Sequence, residues 1–417
     1  MSRFLIVFTI LLLIDWYVFR AFKNQFTSIA TSLKITIYSI YWIVPLLFIG
    51  AAIYMSLMRN SIDLRSSKLF TYLGAILVLF YLPKLFILFF QVIEDFSKVM
   101  AWITKKLSPV DSKIYLGADG ISRSVFISRM GLIISAIPFA SILYGIVIGR
   151  FNFKLNKQNI YFDHLPKEFD GFKIVQFSDL HTGSLIGQQK EFEKAMEIIN
   201  QQNADIIVFT GDIVNNIADE LEGWIELLST LKAKNGKYSI LGNHDYGDYF
   251  QWKSPEDKAA NLEKLKNYHA LMDFNLLMND SVIFERNGEK IALLGVENWG
   301  EKPFPQFGRL DLAMEKSKEI PFKVLLSHDP THWDYQVLGK EDISLTLSGH
   351  THGMQLAINI GGYSWSPVSL KYKRWKGLYS ENNQHLYVNI GLGYIGFPGR
   401  VGTDPEITVF ELKSKNA

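Results

Sequence analysis

Residues 344–353 read Ser-Leu-Thr-Leu-Ser-Gly-His-Thr-His-Gly. The apolar run Ile343–Leu347 stops on serine and glycine, which predicts a buried strand ending in a sharp turn. Two imidazoles follow at once. His350 and His352 are two apart, so in extended backbone they share a face. The same grammar recurs four times upstream. Lys323–Leu326 ends in Ser327-His328-Asp329, and Tyr238–Leu241 ends in Gly242-Asn243-His244-Asp245. Ile206–Phe209 ends in Thr210-Gly211-Asp212, and Lys173–Phe177 ends in Ser178-Asp179-Leu180-His181. In open α/β sheets, sites gather beyond the carboxyl ends of strands. Five strand ends here each deliver a side chain able to bind a metal.

Taken alone, the elements are weak, apart from Gly242-Asn243-His244-Asp245 and Gly349-His350-Thr351-His352, which are moderately specific. A lone Asp-x-His is an ordinary surface pair, and Gly-Asp is commoner still. Ser327 and His328 are adjacent and cannot face each other as nucleophile and base. The information lies in the joint occurrence, in this order and always after a strand. The donors are carboxylate, imidazole and amide oxygen, which suit hard to borderline divalent ions such as Mn, Fe, Zn, Ni or Co. His164, His269, His332 and His385 fall outside these motifs and read as ordinary surface or core residues.

Working outward, strands are expected at Phe172–Phe177, Asp205–Phe209, Tyr238–Leu241, Lys290–Gly295, Phe322–Leu326, Ile343–Leu347, Leu386–Ile390 and Ile407–Glu411. Helices are expected at Gln188–Gln201, Leu221–Leu231 and Asp257–Leu271. Strand alternating with helix argues α/β over residues 151–417, enough chain for one sizeable domain.

Residues 1–150 are different. Apolar stretches run over Phe4–Phe19, Ile35–Met58, Leu69–Phe90 and Met130–Ile148, predicting a transmembrane helical domain of about four spans. The first is short and contains Asp15, which Trp16 and Tyr17 place at a membrane interface. Lys84 is expected to snorkel or face another helix. Phe96, Val99, Met100, Ile103 and Leu107, interleaved with Lys98, Lys105 and Lys106, predict a basic amphipathic helix, on the bilayer surface or packed.

Composition excludes several classes. The 417 residues include no cysteine, which removes disulfides, thiolate metal sites and a cysteine nucleophile. The net charge of +2 gives no support for nucleic-acid binding, and none is expected. Arg20, Lys23, Lys34, Lys98, Lys105, Lys106, Lys113, Arg123 and Arg129 outnumber Arg3, Arg59, Arg65, Lys68, Arg150, Lys154 and Lys157 on the other side of the spans. This leans the C-terminal half toward the exported face of a bacterial inner membrane. Ser122–Ile127 looks like a degraded twin-arginine signal and agrees.

The ordered motifs resemble the calcineurin-like metallophosphoesterase family over about Phe172 to Phe410. The Gly-His-Thr-His-Gly run and the late Gly391-Leu392-Gly393, Gly396, Pro398-Gly399-Arg400 and Pro405-Glu406-Ile407 run are similar to its membrane-associated YkuE/YaeI-like branch. The resemblance implies a four-layer sandwich of two sheets flanked by helices, with two divalent metal ions at the strand ends. It implies that Asp179, His181 and His352 hold one ion, that Asn243, His328 and His350 hold the other, and that Asp212 bridges both. His244 would act on the phosphate, oriented by Asp245. Met354 departs from the branch, which usually has glycine there.

The activity so implied is hydrolysis of a phosphodiester or pyrophosphate by a hydroxide held between the ions. The substrate is phosphorylated, with a lipid-linked one suggested by the membrane anchor. Tyr363–Leu378 mixes aromatics and cations, suiting either a lipid headgroup or an ordinary loop. Arg400 is a candidate phosphate contact, and Trp299 and Arg309 are candidate caps of the cleft. The competing reading is a non-catalytic membrane scaffold or sensor with a vestigial metal site; a transporter has thinner support.

Overall fold

A computed structural model describes residues 2–26, 29–57, 68–107 and 123–416. Met58, Arg59, Arg65, Lys113 and Ser122, used in the readings of spans, orientation and export, lie outside the described residues. The chain divides into two compact units, Met1–Tyr144 and Gly145–Ala417.

Among its described residues the first unit contains four helices: α1 Ser2–Gln25, α2 Thr31–Leu57, α3 Lys68–Leu107 and α4 Arg123–Val147. Among the described residues, three apolar stretches are long enough to cross a membrane: Thr31–Ala51, Thr71–Thr104 and Arg123–Phe151. The expected amphipathic helix is not separate. It is the C-terminal part of α3, a single 40-residue helix whose Phe96, Val99 and Trp102 are exposed.

Asp15 does not face the surroundings of the helices. It is fully buried and ion-paired with buried Lys84. Tyr81 donates to Asp15 Oδ2 at 2.8 Å, Tyr41 donates to the Asp15 carbonyl at 2.7 Å, and both rings lie within 4.9 Å of the Lys84 ammonium. Two charges away from water need this much partnering. Lys84 therefore neither snorkels nor stands alone; it joins α3 to α1.

The second unit is a sandwich. Its strands are β1 Lys154–Phe162, β2 Lys173–Phe177, β3 Ile206–Phe209, β4 Lys237–Ser239, β5 Phe274–Leu276, β6 Asp280–Arg286 and β7 Glu289–Gly295. They continue with β8 Lys323–Leu326, β9 Leu345–Ser348, β10 Ile358–Ile360, β11 Tyr363–Trp365, β12 Gly377–Glu381, β13 Gln384–Val388 and β14 Glu406–Ser414. One sheet has the order β1-β14-β2-β3-β4-β5 and the other β12-β13-β9-β8-β7-β6, while β10 and β11 form a small hairpin. The run β2 to β5 is parallel, as is β13-β9-β8-β7; β14 against β2, and β6 and β12 at the edges of the second sheet, are antiparallel.

Strand period two explains the layers. Ile174, Ile206 and Val208 of the first sheet pack against Leu293, Val324 and Leu326 of the second, forming the inter-sheet core. The alternate residues Val175, Phe177, Ile207 and Phe209 point outward to Phe192 and Met196 of α5 (Gln189–Asn200) and Leu265 of α7 (Pro255–Leu271), beyond the short α6 (Ile225–Ser229). On the far side, Leu294 and Leu325 meet Trp333 and α8 (Leu310–Ala313). Strands buried on both faces read as continuous apolar runs, as Ile206–Phe209 does.

Every expected strand exists, with ends shifted by up to three residues. The expected helix Leu221–Leu231 contracts to α6, preceded by a 3₁₀ turn at Ala218–Leu221. The sequence reading missed β1, β5, β6, β10, β11 and β12. These are edge or half-exposed strands carrying polar residues, so they lack a strong apolar signal.

Candidate metal centre

The ends of β2, β3, β4, β8 and β9 meet at one place. Backbone bonds continue the sheets into the loops: Asp179 N donates to Gly211 O at 2.9 Å, His181 N to Asp212 O at 3.2 Å and Gly349 N to His328 O at 2.9 Å. Asp179, His181, Asp212, His350 and His352 all have left-handed φ, between 50° and 73°. That backbone is disfavoured for residues bearing a Cβ, so surrounding contacts must hold it, as is common at functional sites. Packing is close enough to demand glycine at Gly349. A Cβ there would lie 2.0 Å from Ser178 Oγ and 2.4 Å from Asp179 Oδ2.

Two ligand-like groups result. Asp179, His181 and His352 have donor atoms within 4.8 Å of one another, as do Asp212, His328 and His350. His181 Nε2 and His352 Nε2 are 3.0 Å apart, and His352 Nε2 is 3.2 Å from Asp179 Oδ1. His350 Nδ1 is 3.3 Å from His328 Nε2. Asp212 Oδ2 is 3.1 Å from His328 Nε2 and 3.7 Å from His181 Nε2, so one oxygen faces both groups. Its Oδ1 accepts from His244 N at 2.8 Å. Asn243 is buried, its Nδ2 donates to the Tyr249 hydroxyl at 2.9 Å, and its Oδ1 has no partner.

The donor set fits divalent cations. Buried nitrogens facing each other and an orphaned amide oxygen are costly unless something positive lies between them. Burial holds His181 and His350 below the usual imidazole range, neutral and able to donate a lone pair. Burial also pulls on His328, but Asp212 outweighs it and pushes that imidazole up to about 10. The Thr210 carbonyl accepts from His328 Nδ1 at 2.7 Å, which turns Nε2 inward.

Supporting residues were less legible. Asp245 does not touch the His244 side chain. Its carboxylate accepts the backbone N–H groups of Asp212, Ile213, Val214 and Gly242, pinning the loop that carries Asp212. Burial, helped by Asp212, pushes Asp245 up to about 7. His244 is oriented instead by the Asn215 carbonyl, 2.8 Å from Nδ1. Backbone carbonyls carry no sequence signature, so the adjacent acid was the natural misreading.

Arg400 is also relocated. It is only 2% exposed, and its guanidinium donates to the carbonyls of Gly393 and Ile390. Burial lowers it to about 10, while Asp179 and Glu406 pull it back up. It braces the loop behind Asp179 through Nε and Nη2, and its buried Nη1 has no partner. Trp299 is buried against His332 and Tyr335, and Arg309 is exposed and paired with Asp311. Phe304 of the same insertion approaches the centre, its ring 4.8 Å from that of His350. Tyr372, expected only as one aromatic of the Tyr363–Leu378 segment, reaches the centre: its hydroxyl is 2.7 Å from His350 Nε2. Met354 is 60% exposed with φ 51°, which explains why glycine suits that position. The four remaining histidines each pair with a serine hydroxyl: His164 with Ser344, His269 with Ser239, His332 with Ser327 and His385 with Ser380.

Family models match both units. One described as "Calcineurin-like phosphoesterase" covers residues 172–354, and one described as "Probable Calcineurin-like phosphoesterase, transmembrane domain" covers residues 1–150. The chain is 33% identical over 261 residues to the uncharacterized metallophosphoesterase YkuE of Bacillus subtilis, covering 60% of this chain and 82% of that one. The chain belongs to the calcineurin-like metallophosphoesterase family. Members are metal-dependent phosphoesterases, and this member carries a transmembrane domain. A transmembrane protein with metallophosphoesterase domain from Danio rerio is 30% identical over 297 residues, covering 68% of this chain and 62% of that one. A solved dimetal phosphatase from Danio rerio aligns over 54% of this chain and 88% of its own, at 12% identity and a TM-score of 0.30.

Proposed function

We propose that this metallophosphoesterase hydrolyses a phosphodiester or pyrophosphate at a centre of two divalent ions. The observation that carries the reading is the position of Asp212 Oδ2, between His181 on one side and His328 on the other. In this assignment Asp179, His181 and His352 hold one ion, Asn243, His328 and His350 the other, and Asp212 is shared. Bound there, such a pair supplies Lewis acidity to phosphoryl oxygens and a water of lowered pKa.

The chain's own residues do the rest. The Asn215 carbonyl can only accept, so the proton of His244 sits on Nδ1 and Nε2 is left for the substrate. In its protonated form, His244 Nε2 donates to a phosphate or leaving-group oxygen; in its neutral form it accepts. The Tyr249 ring stacks on His244 at 4.6 Å and limits its rotation. A lipid-linked substrate of a bacterial envelope is supported by the apolar unit on the same chain, which keeps the site near headgroups.

The test uses the full chain in nanodiscs, stripped of metal and reloaded with Mn, Zn or Fe, with bis-p-nitrophenyl phosphate as reporter. Metal-dependent turnover is expected, with Asp212→Ala and His350→Ala losing more than about a hundredfold while remaining folded. Turnover by either variant at the wild-type rate would refute the site assignment. Two tightly bound ions without turnover on any phosphoester would favour the scaffold or sensor reading.

A further inference from the structure

The segment from Met354 to Gly377 leaves the metal centre and returns to it. At one end it follows His352; at the other, Tyr372 touches His350 and Thr351 donates to the Trp375 carbonyl at 2.7 Å. Its inner face is packed: Tyr372 and Trp375 are buried with Ala357 and Val368. Arg374 is buried too, paired with Asp334 and Glu381. The expected surface of mixed aromatics and cations is thus half core.

Its outer face is the reverse. Ile360 is 73% exposed, Tyr363 70% and Leu370 83%, with Ile358 also exposed. Ile358, Ile360 and Tyr363 lie on a small hairpin that pairs with no other strand among the described residues, and Leu370 ends the 3₁₀ turn Pro367–Leu370 that follows it. Lys373 stands exposed beside them, Lys371 is exposed with its ammonium over the Phe304 and Tyr372 rings, and the segment contains no acidic residue. Apolar tips ringed by cations match an anionic bilayer interface, where apolar groups enter the headgroup boundary and lysines meet lipid phosphates.

The hairpin is also tied to the opening residue of its own unit. Ala357 N donates to Val401 O at 2.8 Å and Asn359 Nδ2 to Gly402 O at 2.8 Å. The adjacent Arg400 N donates to Gly145 O at 3.1 Å. Gly145 opens the catalytic unit and lies in the final turn of α4, within the apolar stretch Arg123–Phe151. Two steps along backbone hydrogen bonds therefore join the exposed tips to residues of membrane-spanning character.

We propose that the β10–β11 hairpin and the turn after it dock into the surface of the bilayer that holds the chain, with Ile360, Tyr363 and Leu370 inserted and Lys373 on the headgroups. The docked face then lies against lipid while the segment's other side contacts His350. This goes beyond the hydrolytic reading and stands without it.

The chain has no cysteine, so one label can be placed at will. Ile360→Cys and, separately, Tyr363→Cys in the full chain carry an environment-sensitive fluorophore in nanodiscs of anionic lipid containing shallow doxyl quenchers. Glu319→Cys, exposed in the loop before β8 and so at the opposite strand ends, is the control. Both hairpin labels should be quenched at least twofold more than the control, and less so in zwitterionic discs. Quenching equal to the control at both positions overturns the proposal. Self-quenching that rises with chains per disc, without any doxyl effect, overturns it in favour of a second copy. The readout needs no turnover, so its failure is separate from failure of the metal-site assignment.

Discussion

Replacing Tyr372 by phenylalanine removes one oxygen and isolates what a supporting contact does. Its hydroxyl meets His350 Nε2 and fixes the ring so that Nδ1 faces His328. Outer partners of this kind typically change metal affinity or activity by 10–100-fold. Tyr372→Phe should weaken one of two metal-binding steps by about that much in a chelator-competition titration, leaving the other step in place. Arg400→Met should disturb Asp179 through the carbonyls of Gly393 and Ile390, weakening the step to which Asp179 contributes. At this scale the sequence was informative about donors and poor about their supports. Carboxylates and imidazoles after apolar runs are visible as letters. The Asn215 carbonyl, the four backbone donors on Asp245 and the burial of Arg400 depend on loop paths that spacing does not encode.

Loops after strands are the elements that create the centre, and their tolerances are small. Gly349→Ala would push a methyl into Ser178 and Asp179. The forced shift should cost about 1–3 kcal/mol and abolish binding at the Asp179 group, measurable as a lowered melting temperature and a missing calorimetric step. Alternation of strand and helix was legible because buried parallel strands are unbroken apolar runs. Edge strands such as β1 and β6 were not, because solvent on one side admits polar residues and erases the period. α7 offers a separate check. Burial pushes His269 down to about 4 from an ordinary value of 6.5. The folded unit holds it neutral, so its contribution is fully present above pH 6.5 and is lost as pH falls toward 4. At about 1.4 kcal/mol per pH unit this amounts to roughly 3 kcal/mol. His269→Gln should flatten that limb of the melting-temperature profile between pH 6.5 and 4.

For the whole molecule, the helical unit depends on one buried ion pair. Asp15→Asn or Lys84→Met alone leaves an uncompensated charge and should cost about 3–5 kcal/mol, while Asp15→Leu with Lys84→Leu should recover most of it. Detergent-stability half-lives of the three variants check this. Sequence reading found both residues but not their partnership, since 69 positions separate them. At the other end of the chain, the origin of the ligands has a mechanical meaning. Asp179, Asp212 and Asn243 follow β2, β3 and β4 of one sheet; His328, His350 and His352 follow β8 and β9 of the other. Each group of ligands draws on both sheets. Cations seated there would rivet the two halves of the sandwich along one rim, so that stripping them should unlatch that rim first, and amide exchange after chelation should quicken in the loops beyond these strands while the opposite rim keeps its protection.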